Sequence, residues 1–113
     1  NHLYGVCSYG QLRCLESETG KRIWETFEAT GNGRWWNAFL VKHGENTVLA
    51  NEQGDLIFAK LTPDGYKELS RSHLIDPTNK AQRRDIVWSH PAFARRSVFA
   101  RNDQEIVCAD LAK

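Results

Sequence analysis

The sequence predicts an all-β fold of about ten short antiparallel strands in the pattern three, four and three. Two observations support this prediction. The run from Gly10 to Trp24, GQLRCLESETGKRIW, has the composition of a turn, a strand, a second turn and the start of another strand. Weaker copies of the run recur twice downstream, and the rest of the chain connects the copies.

The N-terminal part of the chain predicts three strands joined by two tight turns. The strands are expected at 3–8, 11–16 and 21–25, and the turns at Tyr9-Gly10 and Ser17–Gly20. Gly10 can take a positive φ, and Gly20 suits the left-handed position that closes a three-residue hairpin loop. Thr19 can hydrogen-bond its own backbone. Because apolar residues fall on both faces of these strands, the sheet is expected to be covered on both faces.

The second copy lies at Val48–Ser70 and the third at Val98–Leu111. In the second copy, Gly54 is aligned with Gly10, Leu56 with Leu12, Phe58 with Cys14 and Leu69 with Trp24, and the turn Pro63-Asp64-Gly65 is aligned with Glu18-Thr19-Gly20. In the third copy, Gln104 is aligned with Gly10, Ile106 with Leu12 and Cys108 with Cys14. A four-stranded antiparallel unit that repeats about every 40–50 residues is typical of a β-propeller blade. The sequence therefore predicts a partial β-propeller of about two and a half four-stranded antiparallel blades.

The run Leu12–Trp24, with its core Thr19-Gly20-x-x-x-Trp24, resembles the repeat of the PQQ-like β-propellers, the quinoprotein alcohol dehydrogenase-like superfamily. The run Trp88–Leu111 resembles the first three strands of such a blade. The chain also resembles a bacterial group described as polyvinyl-alcohol-dehydrogenase-like or PQQ-binding-like repeat proteins. The resemblance implies that the Thr-Gly turn joins the third and fourth strands of a blade, and that the Trp packs between blades.

The repeats divide the chain into two partial blades around a complete one. The expected ranges are 1–25 for a partial blade of strands B, C and D, 35–72 for a complete blade, 73–87 for a connecting loop, and 88–113 for a partial blade of strands A, B and C. Two and a half blades cannot close a ring, so we expect a C-terminal fragment of a longer protein. The structural motif positions are Gly10, Thr19, Gly20, Trp24, Gly54 and Gly65.

The remaining strands and the core follow from the same alignment. Strands are expected at 36–42, 47–51, 55–61, 66–72, 89–94, 98–102 and 105–111, and Asp76-Pro77 can start a short helix in the longest connection. The predicted buried positions are Val6, Leu12, Cys14, Leu15, Trp24, Phe39, Val41, Val48, Leu56, Phe58, Leu61, Phe99, Ile106, Cys108 and Leu111.

Composition and charge argue against several classes of partner. The formal net charge is +1, which suggests neither nucleic acid nor a membrane surface. The sequence has no apolar run of about 18 residues or more, so no membrane span is predicted. The resemblance implies a periplasmic or exported location for the full-length bacterial protein, while the chain itself leaves the location unknown.

The cysteines and histidines predict structural roles. Cys7 and Cys14 are expected to share one hairpin face in a diagonal arrangement, with about 7–8 Å between their Cα atoms, which is long for a disulfide. The three cysteines are interpreted as small buried thiols, with Cys108 in the place of Cys14. The four histidines are far apart and lack metal-ligand spacing, so no metal-binding residue is assigned.

Two pairs of residues leave binding alternatives open. The doublets Arg83-Arg84 and Arg95-Arg96 are interpreted as solvated surface, with an anion site as the alternative. Trp35-Trp36 could stack a sugar or a quinone ring. The favoured interpretation is that one of these Trp residues packs between blades and its neighbour covers a loop.

The resemblance implies two functions from different classes. One is a non-catalytic propeller that serves as a binding or assembly scaffold. The other is part of an alcohol dehydrogenase that uses PQQ and calcium, with the cofactor near the ring centre. No position matches a quinone or calcium ligand set, so the scaffold is favoured, and neither catalytic nor cofactor-binding residues are assigned. The expected partners are the remaining blades, and exposed blade faces and sheet edges predict self-association.

Overall fold

The computed structural model describes residues 1–112 and contains twelve β-strands in four antiparallel sheets. The strands are β1 (His2–Val6), β2 (Leu12–Glu16), β3 (Arg22–Thr26), β4 (Ala38–His43), β5 (Asn46–Asn51), β6 (Asp55–Thr62), β7 (Gly65–His73), β8 (Asn79–Ala81), β9 (Arg84–Ile86), β10 (Ala92–Ala94), β11 (Ser97–Arg101) and β12 (Ile106–Asp110). No helix occurs within residues 1–112, so the predicted all-β class is confirmed.

Each sheet is a meander in which consecutive strands pair. The first sheet has the order β1-β2-β3, the second β4-β5-β6-β7 and the third β10-β11-β12, while β8 and β9 form a separate hairpin. The hairpin lies within 73–87, where the sequence predicted only a connection and a short helix. The helix prediction at Asp76-Pro77 was wrong. The N–H groups of Leu74 and Ile75 bond instead to the carbonyl of Gly54, which fixes an irregular path before β8.

The second sheet lies between the first and the third. On one face, Leu49, Ile57 and Ala59 of the second sheet pack with Leu12 of the first, and all four are fully buried. Around them pack Tyr4, Val6, Trp24, Leu40 and Tyr66. Burying a Leu or Ile side chain contributes about 1.5–3 kcal/mol, so this first interface supplies a large share of the stability.

The opposite face of the second sheet packs on the third. Val48 and Leu56 meet Val98 of β11, and Phe58, Phe93 and other partly buried side chains surround them. Neighbouring residues along β5 and β6 thus enter different cores. This arrangement explains why both strands have almost continuous apolar sequences, since a sheet buried on both faces has no polar side.

The predicted alignment of the third copy is one residue off in β11. Leu56 pairs with Ala50 in the second sheet, whereas the aligned Ile106 pairs with Arg101 and not with Ala100, so the third hairpin is one residue shorter between equivalent pairs. Since side chains alternate between faces, this single residue turns the positions of β11 over relative to the alignment. Ile106 keeps the place of Leu56, because both lie on the face turned away from the preceding sheet.

The alignment of Leu69 with Trp24 was also wrong by one residue. Trp24 pairs with Cys14, and the equivalent residue on the second sheet is Ser70, which pairs with Phe58. Both last strands carry a β-bulge at this level, and Leu69 is the extra residue of the second one. A bulge residue has no partner in the ladder, and Leu69 accordingly remains 48% exposed.

The cysteine predictions were partly wrong. The β1–β2 turn is longer than the predicted Tyr9-Gly10 pair, so Cys14 pairs with Tyr4 while Cys7 lies in the turn. All three thiols are free; Cys14 is buried, Cys7 is half-buried and Cys108 is exposed.

The predicted core positions fall into three groups. Leu12, Cys14, Val48, Leu56 and Leu61 are buried. Half-buried positions are Val6, Leu15, Trp24, Phe39, Val41, Phe58 and Leu111. The predictions for Phe99, Ile106 and Cys108 were wrong, because these three side chains lie on the outer face of the third sheet, which no other sheet covers within residues 1–112.

Candidate functional site

The predicted motif residues do not converge on one site. Gly10 and Gly54 lie in the β1–β2 and β5–β6 turns. Thr19 and Gly20 lie in the β2–β3 turn, and Gly65 begins β7 after the β6–β7 turn. In a meander, successive turns lie at opposite ends of the sheet, so these positions stabilise two ends of the structure.

Gly10 and Gly54 are required by close backbone contacts. Their φ angles are +92° and +90°, and a Cβ would lie 2.2 Å from the carbonyl oxygen of Gly31 and 1.7 Å from that of Ile75, respectively. In both sheets, the segment that follows the last strand therefore passes directly over this turn. The first and second copies of the repeat therefore share the same backbone arrangement at this turn.

Trp24 lies between the first and second sheets. Its indole Nε1 donates a hydrogen bond of 2.7 Å to the carbonyl oxygen of Thr62, and its ring centroid is 6.0 Å from that of Tyr4. The preceding turn is closed by Thr19, whose hydroxyl accepts from the N–H of Lys21 and donates to the carboxylate of Glu16. Trp24 and its turn therefore hold two sheets together and present no reactive group.

The main polar cluster is built on Glu52, which the sequence did not single out. Glu52, in the β5–β6 turn, is 4% exposed, and its carboxylate accepts two hydrogen bonds from Arg84 at 3.0 and 3.1 Å. The indole of Trp88 donates to the same carboxylate at 3.3 Å. The prediction of a solvated Arg83-Arg84 doublet was therefore wrong for Arg84. No local pattern marks this pair, because its members are 32 positions apart in sequence.

Burial raises the pKa of Glu52, and the hydrogen bonds from Arg84 and Trp88 offset part of that increase. A cavity of about 230 Å³ opens beside the carboxylate, between Phe39 and Trp88. Since Arg84 already neutralises Glu52, the two residues form a structural ion pair, and Glu52 is not placed to act as a general acid or base. It fixes the β8–β9 hairpin to the second sheet.

A second polar cluster surrounds His73 at the end of β7. Its Nδ1 lies 2.8 Å from an Asp55 carboxylate oxygen, and its Nε2 lies 2.6 Å from an Asp76 oxygen. Only an imidazolium can donate from both nitrogens. The hydrogen bonds to Asp55 and then Asp76 raise the pKa of His73, so this histidine clamps the start of the connection to β8.

Open space lies between the second and third sheets. A groove of about 570 Å³ has an apolar floor and a rim that carries basic side chains; we call it the basic groove. Its principal floor residues are Val41, Val48, Phe58 and Phe93, and its rim residues are Lys42, His43, Arg95 and Arg96. A second cavity of about 440 Å³ lies beside β12, under Leu69 and Ser70.

Neither member of Trp35-Trp36 packs between sheets. Trp36 lies against the glycines of the neighbouring loops, Gly33 and Gly10, and Arg84 stacks at 5.7 Å from its ring centroid. Trp35 is 44% exposed, with Arg34 over its ring. Trp36 covers a loop, as predicted for one residue of the pair. The Trp that packs between sheets is Trp24.

Within residues 1–112, no three His, Cys, Asp or Glu side chains converge to hold a metal ion. The same residues contain no helix that is long and apolar enough to cross a membrane.

No family model matches the sequence, and neither the curated proteins nor the solved structures gave a match.

Proposed function

We propose that this chain is part of a PQQ-like β-propeller and acts as a non-catalytic binding or assembly scaffold. The observation that supports this proposal is that three antiparallel sheets stack face to face, and that apolar side chains are exposed on the two outer faces of the stack. Stacked meanders of three or four strands are the building units of propellers. The two cross-sheet cores and the Trp24 contact between sheets support this interpretation.

The outer face of the third sheet is the stronger candidate for an assembly surface. Phe99 and Cys108 are cross-strand partners there, and Ile106 lies beside them, opposite Arg101. Ile106 is 74% exposed and Phe99 is 39% exposed. A sheet face that carries contiguous apolar side chains is typical of a surface that another protein layer covers.

The outer face of the first sheet is more polar. Leu3 and Leu15 are cross-strand partners on it, and Leu3 is 57% exposed. Beside them, Arg13 and Arg22 both contact the carboxylate of Glu25, at 2.9 and 3.0 Å. The ion pairs reduce the apolar area, so we expect the third sheet to contribute more to association.

Self-association measured by sedimentation velocity tests the proposal. We expect the weight-average mass to rise with protein concentration, because the third-sheet face and the free edge of β12 are available for pairing. Replacing Ile106 with Lys places a charge in that surface without touching a core. It should weaken association by about tenfold, the loss expected from one buried aliphatic side chain.

The matched control is Tyr9→Lys, which adds the same charge at a side chain that is 52% exposed in a turn. It should leave association unchanged. A monomer whose mass does not depend on concentration would contradict the assembly proposal. So would equal effects of the two Lys variants.

The non-catalytic part of the proposal needs a separate measurement. PQQ with calcium is titrated into the protein while absorbance and dye-coupled alcohol oxidation are followed. We expect no turnover from a non-catalytic scaffold. Stoichiometric binding with turnover would favour the dehydrogenase alternative.

A further inference from the structure

We propose that the basic groove between the second and third sheets binds a single-chain alkyl carboxylate, with the chain on the apolar floor and the head group at the Arg95-Arg96 turn. This site goes beyond the scaffold function and does not depend on it.

The floor of the groove is apolar and continuous. Val41, Val48 and Phe58 are successive cross-strand partners on β4, β5 and β6, so their side chains form one row across the second sheet. Phe93 closes the groove from the third sheet. The volume of about 570 Å³ lies within the range of about 300–1,000 Å³ that is usual for small-molecule sites.

The turn between β10 and β11 lies at the groove. Ala94, Arg95, Arg96 and Ser97 line it together with the apolar row of the second sheet. An apolar surface and two arginine residues therefore meet at one place.

The charges at the rim have one sign. Lys42, His43, Arg95 and Arg96 line the groove, and no Asp or Glu lines it. Within residues 1–112, Lys42, Arg95 and Arg96 make no salt bridge. Cations beside an apolar floor complement a ligand that combines an anionic head with an apolar chain, because guanidinium groups bind carboxylates through paired hydrogen bonds.

The turn has a conformation that its residues do not favour. Arg95 and Arg96 have φ angles of +49° and +60°, the left-handed values of a two-residue hairpin turn in which Asn-Gly is preferred. Residues held in this region cost stability, and such residues cluster at functional sites. Two arginines here therefore oppose the local preference, and both line the groove.

The chain contains a matched turn away from the groove. Gln82 and Arg83, between β8 and β9, have φ angles of +50° and +69° and belong to no part of the groove. The double substitutions Arg95→Asn with Arg96→Gly and Gln82→Asn with Arg83→Gly therefore make the same local change at two places. Both variants should raise the midpoint of thermal unfolding, because Asn-Gly suits the turn.

Isothermal titration calorimetry with dodecanoate, below the concentration at which it forms micelles, tests the site. We expect one molecule to bind per chain. Dodecyltrimethylammonium, which has the same chain and a cationic head, should bind at least about tenfold more weakly, and acetate should not bind.

The Arg95→Asn/Arg96→Gly variant should lose at least about tenfold in affinity for dodecanoate while its unfolding midpoint rises. The Gln82→Asn/Arg83→Gly variant should keep its affinity.

Three results would overturn the site. They are an absence of dodecanoate binding to the wild-type chain, equal binding of the cationic and anionic probes, and unchanged affinity in the Arg95→Asn/Arg96→Gly variant. Because that variant is expected to gain stability, a loss of binding in it cannot be assigned to unfolding. Competition by an acidic peptide that displaces dodecanoate stoichiometrically, and binds more tightly, would assign the groove to a protein ligand and overturn the proposal as well.

Discussion

The two faces of the second sheet form very different interfaces. Against the first sheet, Leu12, Leu49 and Ile57 are completely buried, and the connection after β3 is tied down by hydrogen bonds from Asn51 and Arg71. Against the third sheet, Val98 is completely buried, but cavities of about 570 and 440 Å³ open on either side. The same sheet therefore has one closed interface and one open interface.

The difference follows from side-chain volume. In the first sheet, the residues that face the second are Leu12, Cys14 and Trp24, whereas the equivalent face of the third sheet carries mainly Val and Ala side chains. Small side chains leave space when backbone spacing is set by the larger neighbours. We infer that the closed interface provides stability, and that the open interface provides volume in which a ligand can bind.

The Glu52–Arg84 pair fixes the β8–β9 hairpin to the second sheet, and breaking this pair should have the largest effect. Arg84→Met leaves the carboxylate of Glu52 buried without its partner. We expect a loss of about 3–5 kcal/mol in the free energy of unfolding at pH 7, measured by urea denaturation.

The effect of Arg84→Met should depend on pH. Burial raises the pKa of Glu52 in the folded protein. A carboxyl group with a raised folded pKa favours folding below its unfolded pKa, and this stabilisation is lost as the pH rises through the folded value. The loss in Arg84→Met should therefore be smaller near pH 4 than at pH 7. An equal loss at both values would show that Glu52 is not an uncompensated charge in the variant.

The same substitution on the two faces measures the difference between the interfaces directly. Leu49→Ala removes a side chain from the closed interface, and Leu56→Ala removes one from the open interface. We expect Leu49→Ala to lower the free energy of unfolding by about 4 kcal/mol and Leu56→Ala to lower it by about 2 kcal/mol. The cost of such a substitution rises with the volume of the cavity that it creates, and the open interface already contains space. Equal losses in urea denaturation would contradict the distinction.

The smallest expected effect concerns His73, which is half exposed. Asp55 and Asp76 raise its pKa in the folded protein, so its contribution to stability is complete below its unfolded pKa of about 6.5. That contribution is lost as the pH rises through the folded value, and solvent screening limits it to less than about 1 kcal/mol. In NMR titrations, Asp55→Asn should lower the pKa of His73 more than Asp76→Asn does. No change in either variant would exclude the clamp.

The turns show how far sequence reasoning extends. Gly10 and Gly54 predict turns correctly because their φ angles are ones that other residues rarely adopt. The β8–β9 hairpin was missed because its turn, Gln82-Arg83, contains neither Gly nor Asn and gives no signal for the left-handed conformation that it adopts. The Arg95-Arg96 turn was located only by the strand patterns on either side.

The sequence by itself determined the all-β class, the positions of ten strands and the turns that require glycine. These properties depend on alternation and on backbone conformation, which are local. The tertiary structure decided which face of the third sheet is buried, because the register of β11 against β12 sets which side chains of the two strands share a face. It also decided the Glu52–Arg84 pair and the basic groove. These features depend on how separate sheets stack, and no pattern within one segment records contacts between residues so far apart in the chain.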